Sequence, residues 1–169
     1  MYALRCTRKL LDRAPVQVQQ AAPEPTTLLG DWYANILFSR PQHLVLCLSE
    51  RTLLPVVVPA KNFPALPHRL QLGLQEVLES LGIPGSLITA ELDRMAAMHF
   101  APTANRRVLG ALNDFMYHFE VEHEMSPDSS LLDRALSLAE MPTKVLEYGS
   151  AGEATRELFS AVGTQRGIA

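Results

Sequence analysis

Two β-rich runs, His43–Leu48 and Thr52–Val58, are separated only by Ser49-Glu50-Arg51, and they constrain this chain more than any other feature. The spacing predicts an antiparallel hairpin. Leu44–Leu48 and Leu53–Val58 are almost wholly apolar. Strands without alternation are buried on both faces, so helices are expected above and below the sheet. Pro55 has no N–H to give to a ladder, which puts its strand at an edge or at a bulge.

Other segments fall into place around that hairpin. Tyr2–Cys6 reads as a short strand, with Thr7 capping a short helix from Arg8 that ends near Ala14-Pro15. Gln17–Pro25 is polar and proline-bearing, hence a loop. From Thr26 or Thr27 to about Phe38, residues Leu29, Trp32, Tyr33, Ile36 and Leu37 recur at helical spacing, which predicts a helix. Asp31 and Asn35 then share another face of it. Leu70, Leu74, Val77, Leu78 and Leu81 mark an amphipathic helix stopped by Gly82, and Pro84 opens the next. Ala97–Pro102 is a candidate further strand. Asn105 caps a long helix over 106–124, Ser126-Pro127 starts another, and Ser150-Ala151-Gly152-Glu153 is a capping box for a last helix stopped at Gly163.

The expected fold is therefore α+β, a small mixed sheet of three to four strands packed with about six helices. The expected element order is β-α-α-β-β-α-α-β-α followed by two or three helices. Residues 1–125 form the core and 126–169 a C-terminal helical extension of the same domain. At 169 residues the chain buries roughly 70% of its unfolded surface, enough for one core without staples. Cys6 and Cys47 sit in apolar runs outside any CxxC pair, so they read as buried thiols of a reducing compartment. Arg5, Arg8 and Lys9 interrupt any signal-peptide core, and no stretch is long and apolar enough to span a membrane. A cytoplasmic location is expected. With 15 basic and 18 acidic side chains the formal charge is −3, which disfavours nucleic acid as a partner.

The chemistry-bearing motifs are few. GxxxxGK[ST], GxGxxG, GxSxG and HExxH are all missing from the sequence. His118 and His123 are five apart where a helical metal pair prefers four, and they read as a solvated acidic helix end. Arg94 and His99 match a loose ribonuclease spacing that arises easily by chance. His43, His68 and His99 fall in separate elements. What remains is a polar set, Asp31, Asn35, Asn105, Arg107, Asn113 and Asp114. Such residues either hydrogen-bond a ligand or satisfy one another and a helix start. Trp32 and Tyr33, beside Asp31, read as core.

The same residues carry a resemblance. Arg5-Cys6-Thr7 with Lys9-Leu10-Leu11, Leu29-Gly30-Asp31-Trp32-Tyr33-Ala34-Asn35, Glu50-Arg51-Thr52-Leu53 and Asn105-Arg106-Arg107-Val108-Leu109-Gly110-Ala111-Leu112-Asn113-Asp114 occur in this order. Over about residues 1–120 the chain resembles an uncharacterised bacterial domain family of unknown function. Arg106 stands where that family usually has a small residue. The resemblance implies a bacterial cytosolic protein and brings no activity or cofactor.

The leading expectation is a non-enzymatic module that binds a small polar ligand or a protein partner through the polar set. One alternative is a metal-dependent hydrolase or nuclease, with Asp31 and Asp114 as hard oxygen ligands and Arg107 steadying a phosphate. A third is a structural oligomer subunit, in which the polar set is wholly paired.

Overall fold

The computed structural model describes residues 1–166. Five strands form one mixed sheet in the order β4-β3-β2-β1-β5: β1 (Tyr2–Cys6), β2 (Trp32–Leu37), β3 (Leu44–Ser49), β4 (Pro55–Pro59) and β5 (Met98–Pro102). The sheet is thus one strand larger than the sequence suggests. β1 runs parallel to both β2 and β5, while β2-β3 and β3-β4 are antiparallel. Pro55 opens β4, an edge strand, as its missing donor requires. Six helices follow the chain: α1 (Arg8–Leu11), α2 (Leu66–Ser80), α3 (Gly85–Arg94), α4 (Arg106–Met125), α5 (Leu131–Glu140) and α6 (Ala151–Arg166).

Side-chain alternation assigns the layers. Asn35 pairs with Leu46 and Leu46 with Val57, so these three share a face, and α4 covers it through Met116 against Asn35. Val56 and Val58 point the other way, where α2 lies on them. Along the β4 edge, α5 packs against the strand; at the opposite edge Val18 bridges to Phe100 of β5. Both edges are thereby covered. α6 joins the same body: Thr155 donates to Thr52 at 2.9 Å, in the β3-β4 turn. That turn is held by Ser49, whose hydroxyl accepts the Leu54 N–H at 3.1 Å.

Four helix expectations fail locally. Residues 32–37 form a central strand, not a helix. Its six residues are all buried because it has neighbours on both edges and helices on both faces, which leaves no period to read. Thr7 precedes α1 without capping it, and its hydroxyl instead donates to Asn35 Oδ1 at 2.6 Å. The helix expected at Ser126-Pro127 begins at Leu131, capped by Ser130, and α6 runs past Gly163 to Arg166. Elsewhere Asn105 caps α4, and Ser150 with Glu153 forms the reciprocal capping box.

Gly73 marks the closest helix–sheet approach. A Cβ there would lie 2.7 Å from Val56 Cγ1 and 3.4 Å from Val58 Cγ1. Gly73→Leu should lower stability by about 2–3 kcal/mol despite leucine's better helix propensity, read as a reduced urea midpoint at unchanged slope. Cys6 and Cys47 are free and buried. Burial pushes the Cys6 thiol from 9.0 up to about 12 and moves Cys47 in the same direction. The unfolded thiols ionise first, so this stability is complete below pH 9 and is lost as pH climbs towards 12. A thiol reagent at pH 8 should find no reactive cysteine in the native protein and two in denaturant.

Candidate functional site

Asp31 closes the turn that leads into β2. Thr27 shapes this turn by donating its hydroxyl to the Gly30 carbonyl at 2.7 Å. Gly30 has φ +79, a conformation that side chains resist, and a Cβ there would meet Arg51 Cγ at 3.2 Å. Glu91 of α3, fully buried, accepts the N–H groups of Leu28 and Leu29 at 2.8 and 2.9 Å. Asp31 is thereby aimed at β1. Its Oδ1 accepts the Ala3 N–H at 2.8 Å, and its Oδ2 pairs with Arg5 Nε at 2.8 Å. Arg5 in turn donates to the Pro102 carbonyl at 3.3 Å, across β5. Both Asp31 oxygens have protein partners, and the residue is 2% exposed.

Asn35 is also occupied. Its Oδ1 accepts from Thr7 and from the Ile36 N–H at 2.9 Å, and its amide faces Met116 Sδ at 3.1 Å. Asn105 caps α4 with Oδ1, which accepts the Arg107 N–H at 3.0 Å. The Asn105 N–H donates to the Tyr33 hydroxyl at 3.0 Å. Glu50 stands beside that hydroxyl at 3.4 Å. Burial raises the Tyr33 pKa and the nearby Glu50 carboxylate adds to the rise, while the Asn105 N–H pulls it back. This cluster ties the β3-β4 turn to the start of α4.

The remaining members of the polar set stand on the outer side of α4. Arg107 is exposed and donates to the Val145 carbonyl, which fastens α4 to the 3-10 turn Lys144–Leu146. It does not pair with Asp114. Asn113 and Asp114 are exposed. Asp114 lines a cleft of about 190 Å³ between α4 and residues 141–145, together with Tyr117, His118, Thr143 and Lys144. Asp114, His118 and Lys144 are exposed and form no ion pair among the described residues. Asp31 does not line this cleft, so the two aspartates proposed as a metal pair are not gathered there. Among the described residues no group of three or more His, Cys, Asp or Glu is placed to hold a metal ion, and no helix is long and apolar enough to cross a membrane.

The sequence matches the family described as Domain of unknown function (DUF6933) over residues 3–154. The chain belongs to this family. The match continues past residue 120, where the resemblance was expected to stop, and takes in α5 and the start of α6. No curated protein matches the chain.

In this DUF6933 chain the polar set therefore divides. Asp31, Asn35 and Asn105 serve the scaffold, Arg107 is a strut, and Asp114 faces an open cleft. Sequence reasoning left Lys144 and Tyr117 out of the site, because nothing local shows that the turn after α5 returns to α4. It also passed over Glu91, which looks like one more acid on a surface helix. Asp31→Ala should cost about 3 kcal/mol, since it strands a mostly buried guanidinium, whereas Asp114→Ala should stay within about 0.5 kcal/mol. Urea denaturation of the two variants reads the contrast, and equal stabilities would overturn the division.

Proposed function

We propose that this DUF6933 domain is a non-enzymatic binding module that takes a small polar ligand in the cleft between α4 and residues 141–145. The observation that supports it is an aspartate, a histidine and a lysine lining one opening with no ion pair among them. Asp114 suits a cationic group and Lys144 an anionic one. Tyr117, 66% exposed and edge-on to His118 at 5.7 Å, offers ring surface to the body of the ligand. A cavity near 150 Å³ holds a benzene-sized molecule, so about 190 Å³ suits a compact ligand of amino-acid size. These side chains are solvated, and solvated groups recognise charge. Catalytic acids and bases are tuned by burial and by close charged partners.

Native mass spectrometry of the protein purified gently from its own host tests this reading. A mass excess matching one compact ligand of amino-acid size, retained by the wild type and lost in Asp114→Ala/Lys144→Ala, is expected. An excess that survives the double substitution would place the ligand elsewhere, and an excess the size of a second polypeptide would replace the small ligand with a protein partner. A bare apo mass would overturn retained binding.

A further inference from the structure

Arg134, on α5, is 3% exposed. Its Nε donates to the Ser129 carbonyl at 3.1 Å, and its Nη2 to the carbonyls of Ser126 and Pro127, both at 2.9 Å. The guanidinium also sits over the Phe119 ring at 5.4 Å. These contacts fix its position but supply no negative charge. Among the described residues it forms no ion pair, and its Nη1 is buried without a partner. A buried charge with an unfilled donor opposes folding unless something else neutralises it.

A second orphan lies beside it. The His123 ring stacks on Phe119 at 5.9 Å, and its Nδ1 is buried and unpartnered. His123 and Arg134 line one cleft of about 150 Å³ together with Ser39, Arg40 and Gln42 from the β2-β3 turn. No residue lining this cleft is acidic. Leu131, in the first turn of α5, also lines it, and a helix start favours anions. Beyond the shared residues Ser39 and His123, Phe38 carries Lys9 at 4.4 Å and Arg13 at 4.6 Å over its ring. Acidic groups stand further round: Glu120 and Glu124 in the cleft beyond His123, and Glu122 and Asp133 in the one beyond Arg134.

We propose that this cleft binds an oxyanion of the phosphate class, either free or as a phosphomonoester, with Arg134 and His123 as inner donors and Arg40 as the outer clamp. Three cation-forming side chains around one cleft match a dianion better than a single carboxylate. Nη1 and Nδ1 are shielded from water, so contact with the ligand requires the lining side chains to turn aside. The site is separate from the Asp114 cleft and stands whether or not that one is occupied.

Inorganic phosphate and glycerol phosphate, titrated calorimetrically at constant ionic strength, test the proposal. Arg134 also secures three carbonyls, so its removal risks the fold. His123→Leu and Arg40→Ala, checked by circular dichroism, are the informative variants. The expected result is saturable binding to the wild type, weakened about tenfold by either substitution. Tighter binding of glycerol phosphate assigns the site to an organic phosphomonoester, and equal binding assigns it to the free ion. The absence of saturable heat for both anions, or equal affinity in the wild type and both variants, would overturn the site.

Discussion

The carboxylate of Asp31 holds β1 against β2, and the position of every other functional element follows from that pairing. Parallel neighbours cannot be joined by a tight turn, so the chain travels from Thr7 to Gly30 before β2 begins. A long connection leaves register to be fixed by other means. Asp31 fixes it by accepting the Ala3 N–H and pairing with Arg5 at once. A slip of one residue would turn its carboxylate to the opposite face and strand Arg5. Alternation then places Tyr33 and Asn35 on the face of Asp31, where they meet the start and the middle of α4 through Asn105 and Met116. The outer side of α4, with Asp114 and His118, is set from there.

The strip that resembles the family pattern is for the most part a record of this scaffold. Gly30 supplies a backbone conformation, Asp31 an inter-strand lock, Asn35 a link between Thr7 and α4, and Asn105 a cap. Each of these polar groups is matched inside the molecule, as burial requires. Asn113 and Asp114 close the same strip but face solvent. This strip therefore mixes two kinds of residue, and only the hydrogen-bond partners separate them.

Local signals carried much of the fold. The hairpin, the edge position of Pro55, α2 with its Gly82 stop, the Asn105 cap and the Ser150-Glu153 box all depend on residues close in sequence. Residues 29–37 misled because Leu29, Trp32, Tyr33, Ile36 and Leu37 mimic a helical stripe. In the protein they are buried all round, with Asp31 satisfied by β1 and Asn35 chiefly by Thr7 and Ile36, so neither polar residue marks a solvent face. The interactions of the candidate site join residues far apart in the chain. Asp31 meets Arg5, Tyr33 meets Asn105, and Lys144 shares a cleft with Asp114. No propensity or spacing encodes such contacts. Arg134 was equally hidden, since its partners are backbone carbonyls whose convergence exists only after folding.

The contrast between Asp31 and Arg134 separates a structural charge from a receptive one. Both are nearly inaccessible to water. Asp31 spends both oxygens on protein donors and has a cation in contact, so its charge is matched inside the molecule. Arg134 has its geometry fixed by three carbonyls yet keeps an unfilled N–H and, among the described residues, no ion-pair partner. A group in that state is preorganised: its conformational entropy is already lost, and an anion bound in its cleft relieves its electrostatic deficit. Occupancy and stability are then one quantity, because a ligand that binds only the folded chain stabilises it by mass action. Asp114 differs again, since water already solvates it and a ligand must displace that water. The buried arginine therefore carries the stronger thermodynamic argument for a bound partner, although the exposed aspartate lies in the larger cleft.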